Sequence, residues 1–247
     1  IPANREKKAY GKFKLTESKG FFSALPELAT SVHSDVPRCM EKYGNGYGFI
    51  AYRTVLNRDY EDVVLSFERL GDRAQIYIND NLVDILYIND RLETKLSAKA
   101  GDVLTVLCEN MGRCNFGPKM MYKKGIAGRC LLDKRIHFNW DVYTLPMNNL
   151  DKLTFDGKSF NEKSAFYRGY FNIENPKDTF LKLDNFTKGF VVINGFNIGR
   201  YWEIGPQQTL YVPACLLKDG ENEIIVFESD GLKGEAEIEF VDTPILG

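Results

Sequence analysis

Short apolar runs with a period of two constrain the fold more than any other feature of the sequence. Val63, Leu65 and Phe67 fall on one face of a run, and Ser66 and Glu68 fall on the other. This alternation is typical of a β-strand that buries one face. Similar runs continue from about residue 47 to near the end, separated by Gly, Asn and Asp. The pattern predicts an all-β chain.

Two runs are apolar on both faces and therefore predict strands that are covered on both sides. They are residues 103–108 and residues 224–227. Two sheets packed against each other would provide that cover. The one helix candidate spans a turn or two at residues 23–29, where Pro26 fits only in the first turn. The expected architecture is therefore packed β-sheets with almost no helix.

An internal repeat suggests that the sandwich is duplicated. Three pairs of segments match in the same order, namely 52–57 with 170–175, 76–80 with 191–195, and 101–109 with 220–228. Their spacing of about 117 residues is the size of one sandwich domain. The alternative is that two unrelated sandwiches share strand–turn–strand patterns.

The repeat divides the chain into three predicted ranges. Residues 39–135 are predicted to form the first β-sandwich and residues 136–247 the second. The boundary is expected near residues 136–150, where Trp140, Pro146 and Asn148-Asn149 interrupt the strand rhythm. Residues 1–38 form an N-terminal segment outside both repeats. Within it, the alternating run 11–15 is a candidate to donate a strand to the second sandwich.

The charge balance argues against nucleic acid or a membrane as a partner. Thirty-two basic residues against 34 acidic ones leave a formal charge of −2, too small to gather phosphates or anionic lipid. No run reaches the roughly 20 apolar residues that a membrane-spanning helix needs. Residues 1–8 have no apolar signal-peptide core and are more typical of a cut inside a longer chain.

The cysteines and histidines predict neither a metal site nor a cofactor site. No two cysteines form a Cys-x-x-Cys pair, and their odd number favours buried free thiols and a bacterial cytoplasm. His33 and His137 are too few for the usual histidine-rich metal site. The five cysteines are Cys39, Cys108, Cys114, Cys130 and Cys215.

Several segments, taken together and in this order, resemble the β-galactosidases of glycoside hydrolase family 35. The segments are 9–15, 47–54, 109–117, 124–128, 194–202 and 204–213. The resemblance implies an N-terminal catalytic (β/α)₈ barrel followed by two jelly-roll β-sandwiches similar to galactose-binding domains, of which only the sandwiches are expected in this chain. The family removes terminal β-linked galactose with retention, using two glutamates of the barrel. No catalytic residue is therefore expected in this chain, and the chain alone is not expected to be an enzyme.

The resemblance also provides candidate site residues in the first sandwich. In the family, the loop that matches residues 110–117 leans toward the barrel mouth, and its aromatic residue helps line the sugar pocket. That residue is Phe116 here, whereas the family more often has Tyr, so the stacking face is kept and a hydroxyl donor is lost. Arg113 and Asn115 either hold the loop or reach a sugar hydroxyl. A purely structural loop is the alternative.

A second set of candidates lies at Arg200, Tyr201 and Trp202, which could contact a sugar or another domain. Packing of Trp202 onto the core and pairing of Arg200 with a barrel carboxylate are the alternatives. Glu221 and Glu223 alternate along a predicted strand and are interpreted as solvated.

The expected function is accessory. The sandwiches brace the barrel, border its active site and contribute to homodimer contacts, so the expected partners are the barrel and a β-galactoside. The alternatives are an independent carbohydrate-binding module and an enzyme in its own right.

Overall fold

The computed structural model describes residues 6–156 and 162–247, and these residues are almost entirely β-strands and loops. The chain divides into two compact units, Leu25–Asn149 and Ile1–Ala24 with Leu150–Gly247, called here the first and the second sandwich. The strands are β1 (Gly11–Lys14), β2 (Glu17–Gly20), β3 (Val32–Ser34), β4 (Phe49–Val55), β5 (Tyr60–Phe67), β6 (Leu70–Gly71), β7 (Arg73–Ile78), β8 (Asn81–Tyr87), β9 (Glu93–Ala98), β10 (Val103–Glu109), β11 (Gly125–Ile126), β12 (Cys130–Leu132), β13 (Arg135–Ile136), β14 (Trp140–Leu145), β15 (Ala165–Ile173), β16 (Thr179–Lys182), β17 (Lys188–Ile193), β18 (Phe196–Trp202), β19 (Thr209–Val212), β20 (Gly220–Glu228) and β21 (Glu237–Val241). The helix α1 spans Phe21–Leu28, and 3-10 turns occur at Met40–Tyr43, Pro118–Met121, Leu150–Lys152 and Ala214–Leu216. This content confirms the all-β prediction.

The first sandwich packs a six-stranded sheet on a four-stranded sheet. The strand orders are β3-β14-β4-β10-β7-β8 and β13-β12-β5-β9, and β11 pairs with β6 beside them. One apolar core draws Tyr52 and Val106 from the first sheet and Leu65 and Phe67 from the second. The doubly apolar run 103–108 is the central strand β10, between β4 and β7.

The second sandwich has the same plan with a five-stranded and a four-stranded sheet. The orders are β18-β17-β20-β15-β2 and β1-β21-β16-β19. Its core combines Tyr167 and Val226 from one sheet with Leu181 and Phe240 from the other. The N-terminal strands enter here, because β1 pairs with β21 and β2 pairs with β15.

The boundary between the sandwiches differs from the predicted ranges 39–135 and 136–247. Strand β14 pairs with β4 of the first sandwich, and Trp140 is fully buried there, with its Nε1 donating to the carbonyl of His137 at 2.9 Å. The division therefore falls between Asn149 and Leu150. The predicted segment 1–38 is also divided, because β3 pairs with β14, and its first five residues lie outside the described part.

The repeat corresponds to a shared topology. The order β14-β4-β10-β7-β8 in the first sandwich matches β2-β15-β20-β17-β18 in the second. Both β7–β8 and β17–β18 close with two residues of positive φ, Asn79-Asp80 and Asn194-Gly195, as type I′ hairpins require. Each hairpin also has a register shift at the same place, after Ile76 and after Val191.

Helix α1 starts two residues before the predicted 23–29 segment. Phe21 is fully buried and its ring lies 6.0 Å from that of Phe227, which anchors the helix start. Pro26 consequently lies beyond the first turn, contrary to the prediction. Its missing N–H removes only the bond to Phe22, and Ala29 still donates to the carbonyl of Leu25.

Candidate functional site

The loop of residues 110–117 leaves the end of β10 in the first sandwich and runs into the 3-10 turn Pro118–Met121. Its first residue, Asn110, is buried, and the residues from Gly112 to Phe116 are exposed. Gly117 has φ +84°, a conformation that side chains disfavour, and it reverses the chain before the turn. The loop therefore has a buried base and an exposed tip.

One carbonyl, that of Gly46, gathers three donors at the base of this loop. Asn110 Nδ2 lies 3.0 Å from the Gly46 oxygen, and Arg113 Nε and Nη2 lie 3.2 and 3.1 Å from it. The remaining nitrogen of the guanidinium, Nη1, donates to Glu41 Oε1 at 2.8 Å. Each of the three guanidinium nitrogens of Arg113 thus donates a hydrogen bond to a group of the first sandwich.

A buried ion pair fixes the loop from its other side. Lys124 Nζ lies 2.6 Å from both carboxylate oxygens of Asp72, and the Lys124 side chain is only 7% exposed. Asp72 also accepts the backbone N–H of Met111 at 2.9 Å. The backbone N–H of Lys124 in turn donates to Glu41 at 3.2 Å. Glu41 therefore connects the contacts of Arg113 with those of Lys124.

A further buried pair lies next to this network. Arg73 Nη1 is 3.7 Å from Glu109 Oε2, both side chains are buried, and Arg73 Nε donates to the hydroxyl of Tyr87 at 3.1 Å. Together with Glu41, Asp72, Arg113 and Lys124, these residues give three positive and three negative charges in formal terms. Opposite charges that are paired in this way offset the cost of removing them from water, and breaking one pair is strongly destabilising.

Glu41 has a lowered pKa. Burial acts against this shift, but hydrogen bonds from its own backbone N–H, from the Arg113 guanidinium and from Lys124 N–H hold the pKa of Glu41 below its usual value. The carboxylate is therefore ionised at neutral pH, which is the form that the donors around it require.

The tip of the loop is strongly apolar for an exposed surface. Phe116 is 87% exposed, and the following turn adds Met120, Met121 and Tyr122. We call these four residues the apolar tip. Asn115 is exposed beside Phe116. Of the three candidates in this loop, Phe116 and Asn115 lie at the tip, whereas Arg113 faces the base.

The second set of candidates lies on β18, an edge strand of the second sandwich. Arg200 is exposed, and Trp202 is half-buried with the ammonium of Lys188 4.8 Å from its ring centre. Tyr201 is 9% exposed, and its hydroxyl lies 2.9 Å from the carbonyl of Phe227. Because Tyr201 belongs to the core, its ring is not available for a sugar, which corrects that part of the prediction. For Arg200 and Trp202 the contact stays a prediction.

A buried carboxylate that the sequence analysis did not single out lies behind this strand. Glu228 accepts backbone N–H groups of Thr187 and Asp230, both at 2.7 Å, and of Gly231 at 3.1 Å. Tyr201 Oη lies 3.0 Å from Glu228 Oε2. Burial raises the pKa of Glu228 to about 7, although the backbone donors pull it downward.

The internal repeat of the sequence pairs the buried glutamate Glu228 with an equivalent glutamate in the first sandwich. Glu109 and Glu228 occupy equivalent positions at the ends of β10 and β20, and a buried basic residue, Arg73 or Lys188, begins the neighbouring strand. Each basic group lies against an aromatic ring at the equivalent place, Tyr87 or Trp202.

The other polar candidates have structural partners or remain solvated. Glu221 is exposed, and Glu223 lies 3.8 Å from Arg168, in the outward position expected for both. Within residues 6–156 and 162–247, no three His, Cys, Asp or Glu side chains are grouped so that they could hold a metal ion. In the same part of the chain, no helix combines the length and apolarity needed to cross a membrane.

The cysteines are free, but not all of them are buried as expected. Cys39, Cys108 and Cys130 are buried, whereas Cys114 and Cys215 are exposed. Cys114 belongs to the loop of residues 110–117, where the chain has left the core. Burial raises the pKa of Cys130 to about 12, so that thiol is unreactive.

Two family models match successive parts of the chain. Residues 37–146 match the first all-β domain of β-galactosidase, and residues 164–222 match the galactose-binding domain of β-galactosidase. The first range ends near the close of the first sandwich, and the second lies within the second sandwich.

Named relatives match along nearly the whole chain. β-Galactosidase 1 of Dictyostelium discoideum is 31% identical over 99% of this chain and 40% of its own length. β-Galactosidase of Bos taurus is 34% identical over 100% of this chain and 43% of its own length. The chain thus spans about two fifths of the length of the curated relatives it matches.

Among solved structures, a lectin of Pleurotus ostreatus aligns with 95% of this chain and 79% of its own, at 10% identity. Its TM-score of 0.25 is too low to indicate a shared fold. The two domain matches and the all-β architecture agree with each other, and the chain belongs to the β-galactosidase family, as the part that carries its first all-β domain and its galactose-binding domain.

Proposed function

We propose that the chain is the accessory, non-catalytic part of a retaining β-galactosidase and that its first sandwich borders the active site. The successive matches to two β-galactosidase domains carry this proposal. The relatives are more than twice as long as the matched part, which leaves room for a catalytic domain. Retaining hydrolysis needs two carboxyl groups about 5 Å apart, which we assign to that domain.

Phe116 is the residue that we assign to the rim of the sugar pocket. An exposed aromatic ring on a loop with a fixed base can stack on the C–H face of a galactosyl residue. The exposure of Phe116 supports the assignment, because Met120, Met121 and Tyr122 are exposed in the same segment and grouped exposed apolar residues mark interaction sites. Asn115 would add a polar contact, and the neighbouring Met120 and Met121 would pack against the catalytic domain.

The test is the substitution Phe116→Ala in the longer enzyme that contains this chain. We expect kcat/KM for a nitrophenyl β-galactoside to fall about tenfold, which corresponds to ~1.4 kcal/mol of lost transition-state stabilisation. Phe138→Ala is the matched control, since Phe138 is also an exposed phenylalanine of the first sandwich. Unchanged kinetics for Phe116→Ala would contradict the assignment of Phe116 to the sugar pocket.

A second candidate function is independent binding of galactosides by the second sandwich. The description of the matched family model as a galactose-binding domain favours it, and Arg200 and Trp202 are the residues to test. Isothermal titration of the chain with galactose and lactose decides between the two functions. Saturable heat that Trp202→Ala abolishes would support a binding module, and heat-silent mixing at millimolar ligand would favour the accessory role alone.

A further inference from the structure

We propose that Glu41, Asp72, Arg113 and Lys124 form a loop clamp, whose task is to hold Phe116 in position rather than to touch the substrate. This inference rests on the proposed function of Phe116, and it assigns Arg113 a positioning role in place of a sugar contact. The clamp consists of side chains from widely separated parts of the first sandwich. They act at two points of the loop base, Met111, whose N–H donates to Asp72, and Arg113, whose guanidinium donates to Glu41.

The hydrogen bonds of Arg113 favour a positioning role, because each of its three guanidinium nitrogens already donates to a group of the first sandwich. Its Nε and Nη2 lie within 3.2 Å of the Gly46 oxygen, and its Nη1 lies 2.8 Å from Glu41. A planar guanidinium that is held at both ends restricts how far residue 113 can move from the sandwich. Phe116 lies only three residues after Arg113, so holding Arg113 in place limits how far the Phe116 ring can move.

Asp72 performs the same task at Met111. Its carboxylate accepts the Met111 N–H at 2.9 Å while Lys124 Nζ holds both of its oxygens. The side chains of Lys124 and Asp72 are 7% and 17% exposed, so salt and water weaken this pair less than they weaken a surface ion pair. Glu41 joins the two halves by accepting from both Arg113 and the backbone N–H of Lys124.

The physical reason for such a clamp is preorganisation. A flexible loop would lose conformational entropy each time its aromatic ring met a ligand, and a loop that is already ordered avoids this cost. An ion-pair network of four side chains adds little to the apolar core itself. Its effect falls on the loop, because Asp72 bonds the backbone of Met111 and Glu41 bonds Arg113, while Lys124 bonds both carboxylates.

Cys114 provides a probe inside the loop. In a Cys215→Ser background it is the one remaining cysteine whose thiol is exposed, so a nitroxide spin label attached there reports the motion of residue 114 by electron paramagnetic resonance. We expect Arg113→Ala to shorten the rotational correlation time of the label roughly twofold or more. Arg113→Lys, which keeps the charge beside Glu41 but loses the fork onto Gly46, should give an intermediate value. Glu68→Gln is the control, because it breaks the exposed Glu68–Arg129 pair of the same sandwich at 3.2 Å.

The outcomes separate the clamp from the proposed function. A label in Arg113→Ala that is as immobile as in the parent chain, or an equal gain of motion in Glu68→Gln, overturns the clamp. If Arg113→Ala does not fold, the comparison of Arg113→Lys with Glu68→Gln decides in the same way. In the longer enzyme, adding Arg113→Ala to Phe116→Ala should cost no further activity, whereas additive losses overturn the positioning role. Silent kinetics for Phe116→Ala contradict the proposed function and leave the spin-label result intact.

Discussion

Asn79 and Asn194 have the same role in the two sandwiches. Both lie in the left-handed region, with φ of +48° and +50°, at the first turn position of their hairpins. Asn79 Oδ1 accepts the N–H of Val103 at 2.9 Å, and Asn194 Oδ1 accepts the N–H of Glu223 at 3.1 Å. One side chain thus supplies both the turn conformation and a bond to the neighbouring central strand.

We expect Asn194→Ala to destabilise the second sandwich by about 1–3 kcal/mol, because alanine disfavours positive φ and cannot replace the amide hydrogen bonds. Asn194→Gly should cost less, since glycine accepts this conformation. Urea unfolding measures the difference. An alanine variant as stable as the parent chain would mean that the turn does not depend on this side chain.

Glu228 should make the stability of the second sandwich depend on pH. Its pKa is raised by burial from 4.5 to about 7 in the folded state, so its favourable contribution is complete below pH 4.5 and is lost as the pH rises through 7. The loss amounts to about 3 kcal/mol. Unfolding free energies measured between pH 4.5 and 8 should show this slope, and Glu228→Gln should abolish it. Glu221→Gln, an exposed position on the same strand, should retain it.

At the scale of elements, β14 accounts for the error in the predicted domain boundary. Trp140 and Pro146 interrupt the strand rhythm, as a linker would, but Trp140 and Val142 alternate inward and are buried, as is Leu145 at the end of the strand. Sequence spacing could not distinguish a last strand of the first sandwich from a first strand of the second. The choice is made by tertiary pairing of β14 with β4.

A polypeptide of residues 25–149 should therefore fold alone, whereas residues 39–135 should not. The shorter piece lacks β14 and leaves β4 without its neighbour, and it also loses the fully buried Trp140. Amide chemical-shift dispersion in NMR spectra distinguishes a folded sandwich from an unordered chain. Equal dispersion for both pieces would show that β14 is dispensable.

The same reasoning explains which parts of the candidate site the sequence could predict. The period-two runs and the Asn-initiated turns are local, so the strands and hairpins followed from them. The clamp residues are not local, since Glu41 and Lys124 lie far apart in sequence and meet only in the folded sandwich. Resemblance identified Phe116 and Asn115, but only the structure could reveal that Arg113 turns back toward Gly46.

At the scale of the whole molecule, the chain is two sandwiches of one topology, each with its own core and a buried glutamate at the end of its central strand. Buried ionisable groups of both sandwiches are used in ion pairs such as Lys124–Asp72 and in backbone contacts such as those of Glu228. This use of charge fits the accessory role proposed above, in which the hydrolytic carboxyl groups belong to the rest of the longer enzyme.

The most direct test is an assay of the purified 247-residue chain, without any other part of the enzyme, on a nitrophenyl β-galactoside. If both sandwiches are accessory, nitrophenol should form no faster than in buffer, even at high protein concentration. Turnover that rises in proportion to the chain and persists through further purification would contradict this, because it would require a hydrolytic pair of carboxyl groups within the sandwiches.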